Sequence, residues 1–271
     1  MPELNVRRLL IDLESPFSTR WNGGDAFRTA FFNALSMSFP VGEQYFIDSV
    51  RQGFQALPAT LQERFACEVK GFVGQEATHR RIHQLFNQHL KNQGFQNAIE
   101  QRALRRIQAK SGMDLRVHVG ATAATEHLTA LFAKWILSNP EFLSGAEPRL
   151  QLLWQWHSAE ESEHSTTAFD IYQAMGGGYS WRVRLLRYIT VVFLSDLMRQ
   201  TLRNLWQDGS LLKPSTWLSG YALLLGKKGL LRTNYKLWRA YFSQDFHPQQ
   251  QEHNLSQQWL RENRTHFSVV T

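Results

Sequence analysis

Two pairs of residues in this chain could hold a metal ion or carry acid–base chemistry: Glu76 with His79, and Glu161 with His164. Each is a Glu-x-x-His. On a helix, a step of three at about 100° per residue leaves both side chains on one face, one turn apart, where they reach a common site. Two single glutamates, Glu43 and Glu126, stand 33 and 35 residues ahead of Glu76 and Glu161. His157 lies four residues before Glu161, so His157, Glu161 and His164 share a face across two turns. A lone Glu-x-x-His is a weak signal, but its repetition at matched spacing is a strong one.

The elements that carry these residues read as helices. Apolar residues recur at steps of three and four along most of the chain, and few stretches alternate as strands do. Gly and Pro punctuation places helices at about 25–38, 40–57, 59–91, 95–110, 114–138, 147–175, 179–207, 213–243 and 252–263. Within 59–91 the inward stripe runs Phe65, Val69, Phe72, Glu76, His79, His83, Phe86 and Leu90. Within 114–138 it includes Val119, Thr122, Glu126 and Thr129, and within 147–175 it includes Trp154, His157, Glu161, His164 and Ala168. These stripes are apolar at their ends and ionisable in the middle. A buried charge costs several kcal/mol unless it is paired or bound to a metal, so the core stripes call for one or the other.

A chain of 271 residues with 43% apolar content can bury a full core. We expect one domain over 1–210 and a C-terminal helical extension over 211–271. The net charge of +7 is spread along the chain rather than gathered into a run, which argues against nucleic-acid binding. The single cysteine, Cys67, cannot form an internal disulfide, and Met1–Asn5 lacks a signal-peptide profile, so a cytoplasmic setting is expected. The most apolar stretch, Leu185 to Met198, is too short and too charged to span a bilayer.

The order Glu, Glu-x-x-His, Glu, Glu-x-x-His resembles the ferritin-like di-iron and di-manganese carboxylate proteins. That resemblance implies an all-α, ferritin-like four-helix bundle with additional C-terminal helices. It also implies two divalent ions held by Glu43, Glu76, His79, Glu126, Glu161 and His164. Such ligands suit iron, or manganese, and the lack of thiolates argues against structural zinc. The added His157 resembles the arylamine N-oxygenase branch of di-iron proteins, which implies His157 as a third imidazole ligand. The wording of Phe39-Pro40-Val41-Gly42-Glu43, Gln75-Glu76-Ala77-Thr78-His79 and Trp156 to His164, with Asp245-Phe246-His247-Pro248 near the end, resembles the bacterial family described as predicted metal-dependent hydrolase. This likeness runs over most of the chain.

Several positions stay open at this point. Glu160 could replace Glu161 as ligand, and His83 could be a ligand, a proton relay or a hydrogen-bonded core histidine. His127 and Glu163 turn away from the stripes, which suggests the surface or a supporting role. Asp196 either orients a ligand histidine or faces solvent paired with Arg199. The basic, aromatic run from Gly226 to Tyr241 either packs as a helix or rests on an anionic membrane surface. Three functions fit the site. The leading one is a dioxygen-using oxidation of a small organic or lipid-like substrate, with Phe46, Phe72 and Trp154 shielding the centre, which requires an electron donor. The others are metal-dependent hydrolysis, and iron storage or sensing. A homodimer is compatible with all three, and no catalytic acid, base or nucleophile is apparent outside the ligand set.

Overall fold

The computed structural model describes residues 4–250 and 254–270 and is all-α apart from one short ladder. In chain order the elements are β1 (Arg7–Leu9), α1 (Ala26–Gln55), α2 (Ala59–Asn92), α3 (Ala98–Ala109), α4 (Leu115–Ser138), α5 (Pro148–His164), α6 (Thr167–Ala174), α7 (Tyr179–Gln207), α8 (Pro214–Leu224), α9 (Leu230–Ala240), α10 (Asn254–Glu262) and β2 (Phe267–Val269). Side chains of Asp25, Asn97 and Asp114 accept the free backbone N–H groups that open α1, α3 and α4. Proline occupies the first turn of α5 and α8, where no N–H is needed.

α1 packs along α2 and against α4 and α7, while α4 packs against α5, α6 and α7. The facing stripes interdigitate through Leu35, Val50, Phe72, Phe86, Val119, Leu150, Trp154 and Ile171, all but sealed from solvent. Gly120 permits the close approach of α4 to its neighbours: a Cβ there would meet Leu185 Cδ1 at 2.6 Å and the Tyr172 ring at 2.7 Å. α8 lies on α1, α9 on α4, and α10 on α5. Leu223, Leu230, Tyr241 and Phe246 of this C-terminal part join the same core. No helix among the described residues is long and apolar enough to cross a membrane.

The structure redraws several expected boundaries. The helices expected at 25–38 and 40–57 are one, because Pro40 lies inside α1 rather than ending it. A proline at that position removes the donor to the carbonyl four residues earlier. Asn87 of α2 supplies the missing donor, its Nδ2 lying 2.9 Å from the Ser36 carbonyl oxygen, and Asn97 Nδ2 donates to the next carbonyl, of Met37, at 3.0 Å. The helix expected at 147–175 is broken after His164, where Ser162, Ser165, Thr166 and Thr167 crowd the chain with groups that compete for backbone hydrogen bonds. The helix expected at 213–243 is divided between Gly226 and Gly229, where a Cβ would lie 2.7 Å from backbone atoms of the preceding turn. The N- and C-terminal strands had no alternating signature. They pair antiparallel, Arg8 opposite Ser268. The last expected helix is found as α10, its expected first residues and Met1–Glu3 lying outside the described residues.

Candidate metal centre

α1, α2, α4 and α5 bring their ionisable residues to one level of the core. Glu43, Glu76, His79, Glu126, His157, Glu161 and His164 are all buried. Two groups of donor atoms form among them. Glu76, His79, Glu161 and His164 each offer an atom within 4.8 Å of the others, and so do Glu43, His83 and His157. Glu126 stands one step behind the first group, with its Oε2 at 3.0 Å from His164 Nδ1.

Each histidine divides its two nitrogens between the centre and a partner behind it. His79 Nε2 lies 2.9 Å from Glu160 Oε2, leaving Nδ1 3.3 Å from Glu161 Oε1. His164 gives Nδ1 to Glu126 and turns Nε2 toward Glu76 and Glu161, at 3.5 and 3.6 Å. Glu160 is not on the inner side at all: Arg7 Nη1, from β1, donates to its Oε1 at 3.0 Å. Of the two neighbours left open by the spacing, Glu161 faces the centre and Glu160 holds His79 from behind.

The protonation of His157 is set by a chain of hydrogen bonds. Asn87 points its NH₂ at the Ser36 carbonyl, so its Oδ1 accepts from the Ser36 hydroxyl at 2.8 Å. Ser36 has then spent its proton, and its Oγ accepts from His83 Nδ1 at 2.9 Å. His83 Nε2 is left as an acceptor for His157 Nδ1–H at 2.6 Å. This tautomer leaves His157 Nε2 as an acceptor facing Glu161 Oε1 at 2.9 Å and Glu43 Oε1 at 4.0 Å, acceptors that only a shared proton or a cation can hold together. Both nitrogens of His83 are engaged, so it supports His157 from outside the centre.

The electrostatics are those of a site with too many carboxylates for its burial. Desolvation pushes Glu43 and Glu76 well above the carboxylate range, helped at Glu76 by Glu126 and Glu161. Desolvation likewise carries Glu126 up to about 7, against the pull of His164. Burial would lower His79, yet Glu160 and Glu161 hold it up at about 10. Burial, then repulsion from His79, takes His157 down to about 4, and burial followed by His157 lowers His83. Glu161 stays well below its ordinary value although burial opposes this, because His164, His157 and His79 surround it.

These residues fit a pair of divalent cations. Both oxygens of Glu43 and of Glu76, Glu126 Oε1, Glu161 Oε2, His79 Nδ1 and His164 Nε2 are buried without a hydrogen-bond partner among the described residues. Orphaned acceptors in a dry core are costly, and a hard cation is the partner that oxygen and imidazole nitrogen donors satisfy together. Four carboxylates also match the charge of two dications.

Other expectations are corrected. His127 is not at the surface: it is buried against Tyr241 and Phe246, and burial takes it down to about 3. Asp196 neither faces solvent nor touches a ligand histidine. It is buried between Arg102 and Arg106 of α3, which both bind its carboxylate. Glu163 supports the site by accepting from Arg7 and Gln75. His247 accompanies Asp170 at 2.7 Å.

A family model described as predicted metal-dependent hydrolase matches residues 5–252. No curated protein and no solved structure matches the chain.

Proposed function

The chain belongs to the predicted metal-dependent hydrolase family; from the surroundings of its buried cluster we propose that it holds two iron ions in a ferritin-like centre that uses dioxygen to oxidise an apolar organic substrate. Glu76, His79, Glu161 and His164 form one donor group and Glu43, His157 and His83 the other, His83 being taken up by Ser36 and His157, with Glu126 offering its unpartnered Oε1. Ferrous ions held there would supply electrons for the reduction of dioxygen, and an external donor would have to replenish them.

The observation that carries this reading is the surroundings of the donors. The small cavity that touches His157 and Glu161 is walled by Leu35, Phe39, Phe132, Ala133, Ile136 and Trp154. Its two hydroxyls are already committed, Thr129 to the Glu126 carbonyl and Ser158 to the Trp154 carbonyl. Phe72 and Trp154 are buried with their rings 5.1 Å from His164 and 5.3 Å from His83. His83, Ser36 and Asn87 keep a proton on His157 Nδ1 and off Nε2, while Glu160 and Glu126 fix the rings of His79 and His164.

Hydrolysis by a metal-activated water is the second reading, favoured by the family's description. Against it, the wall beside the centre offers no uncommitted acid, base or hydroxyl to bind and protonate a leaving group. The two readings separate when the protein is loaded anaerobically with Fe(II) and then exposed to dioxygen. Uptake of about two iron ions per chain, followed by rapid dioxygen consumption, is the expected result. Tight iron binding without any dioxygen uptake would sink the oxidative reading and leave hydrolysis.

A further inference from the structure

A cavity of about 180 Å³ lies between α1, α3, α4 and α7. Cavities of about 150 Å³ with apolar walls take up a molecule the size of benzene, so this one has room for a short hydrocarbon body. Phe46, Ile107, Val117, Ile189 and Val192 line it. Phe39 and Thr129 belong both to this cavity and to the smaller one that touches His157 and Glu161. The Phe39 ring is 4.6 Å from that of His157 and 4.6 Å from that of His83. The inner end of the cavity therefore reaches the candidate centre through one aromatic side chain and one hydroxyl.

The other end is cationic. Lys110, the residue that ends α3, is half-buried with its Nζ 3.7 Å above the centre of the Tyr188 ring, and it has no carboxylate partner among the described residues. Arg102 and Arg106 share the single carboxylate of Asp196, which leaves one positive charge over. Tyr45 and His118, joined at 2.9 Å, add polar atoms to the same lining.

We infer that this cavity binds an amphipathic carboxylate, its aliphatic body along α4 and α7 and its anionic head at Lys110, with the far end of the chain presented past Phe39 to the centre. This rests on the oxidative reading above for the fate of the chain but not for its binding. Calorimetric titration of the iron-loaded protein with decanoate, decanol and decyltrimethylammonium tests it, with bound iron measured in the same samples. Decanoate should bind more tightly than either analogue. Lys110→Glu should weaken decanoate roughly ten-fold while leaving decanol unchanged, and Val192→Trp, which fills the cavity, should abolish both. Equal or tighter binding of decanol or of the ammonium compound overturns the assignment of the head. Failure of all three to bind iron-replete protein overturns the cavity, with the metal centre intact. Decanoate binding by a protein that takes up no iron leaves the cavity standing and removes the dinuclear reading instead.

A different face carries a second inference independently. Between Asp208 and Asp245 the sequence contains no Asp or Glu. Lys213, Lys227, Arg232, Lys236 and Arg239 are exposed in that interval. α8 buries Thr216, Gly220 and Leu223 and turns Trp217, Leu218, Tyr221 and the following Leu225 outward, with exposures of 46, 72, 61 and 50%. An apolar outer face among cations that have no carboxylate partner among the described residues is the pattern of a helix lying in the interface of an anionic bilayer, and we propose that α8 docks there. Co-sedimentation with vesicles of phosphatidylcholine and phosphatidylglycerol should exceed that with phosphatidylcholine alone and fall in Leu218→Glu, whose side chain is exposed. No binding to the anionic vesicles refutes the proposal, as does a concentration-dependent dimer that Leu218→Glu dissociates, since a second copy would then cover this face.

Discussion

Ser36 reaches the centre only through His83, yet the unprotonated nitrogen of His157 depends on it. With the hydroxyl gone in Ser36→Ala, His83 Nδ1 loses its acceptor, and His83 is free to carry its proton on Nε2 instead. That proton would face His157 Nδ1, 2.6 Å away, and drive the His157 proton onto Nε2, where a metal should bind. Metal affinity, read by competition with a chelator, should fall roughly ten- to hundred-fold, and Ser36→Thr should restore it. Unchanged affinity in Ser36→Ala would show that the chain of hydrogen bonds does not govern the centre. Glu76→Ala and His164→Ala should each remove most bound metal, and full retention in both would refute the donor assignment. The residues gathered at the centre were legible because helical spacing of Glu and His is a local signal. The residues behind them were not: Asn87 reaches Ser36 across 51 positions and Arg7 reaches Glu160 across 153, and no periodicity relates such pairs.

At the scale of elements, Pro40 shows why a boundary rule failed and what the exception achieves. Proline inside a helix costs about 3 kcal/mol, but the side chains of Asn87 and Asn97 satisfy the freed end of the preceding turn. Pro40 thus sits between Ser36, which sets the protonation of His157, and Glu43, which faces it. Pro40→Ala should leave helicity and melting temperature no lower than in the parent while weakening metal binding, because the restored backbone N–H competes with Asn87 for the Ser36 carbonyl and frees the amide that orients Ser36. Equal metal affinity would make the proline incidental. The long helices themselves were legible from their stripes, whereas the break after His164 was not, since it depends on polar residues that a helix elsewhere tolerates. α4 also holds the C-terminal part through His127, against Tyr241 and Phe246. The folded pKa of His127, about 3, lies below the ordinary 6.5, so between those values the unfolded chain binds a proton that the folded chain refuses. Its contribution is intact above pH 6.5 and is lost as pH falls toward 3, at up to about 1.4 kcal/mol per pH unit. Denaturant titrations of His127→Phe should therefore show a shallower loss of stability over that range than the parent, and parallel profiles would exclude the assignment.

Over the whole molecule, the centre and the chain's two ends form one connected structure. β1 pairs with β2, and Arg7 in that ladder is buried with its guanidinium on Glu160 and Glu163. Glu160 holds His79, so an ion that fixes His79 Nδ1 also fixes the carboxylate that anchors β1. Coupling between two sites is reciprocal in free energy: if metal steadies the ladder, the ladder must steady the metal. Metal at about a hundred times its dissociation constant should add about 2.7 kcal/mol to folding, equivalent to roughly 5–11 °C in melting temperature at this chain length. A uniform gain would say nothing of the path, so the informative readout is local. Hydrogen exchange should slow on metal loading at the Leu10 amide, which donates to the His266 carbonyl, and at its neighbours in the ladder as well as around the centre, and Arg7→Met should abolish that protection at the ladder while weakening metal binding. If the ladder amides exchange at the same rate with and without metal, the terminal strands close the chain for reasons of packing alone, and Arg7 serves only to neutralise Glu160 and Glu163.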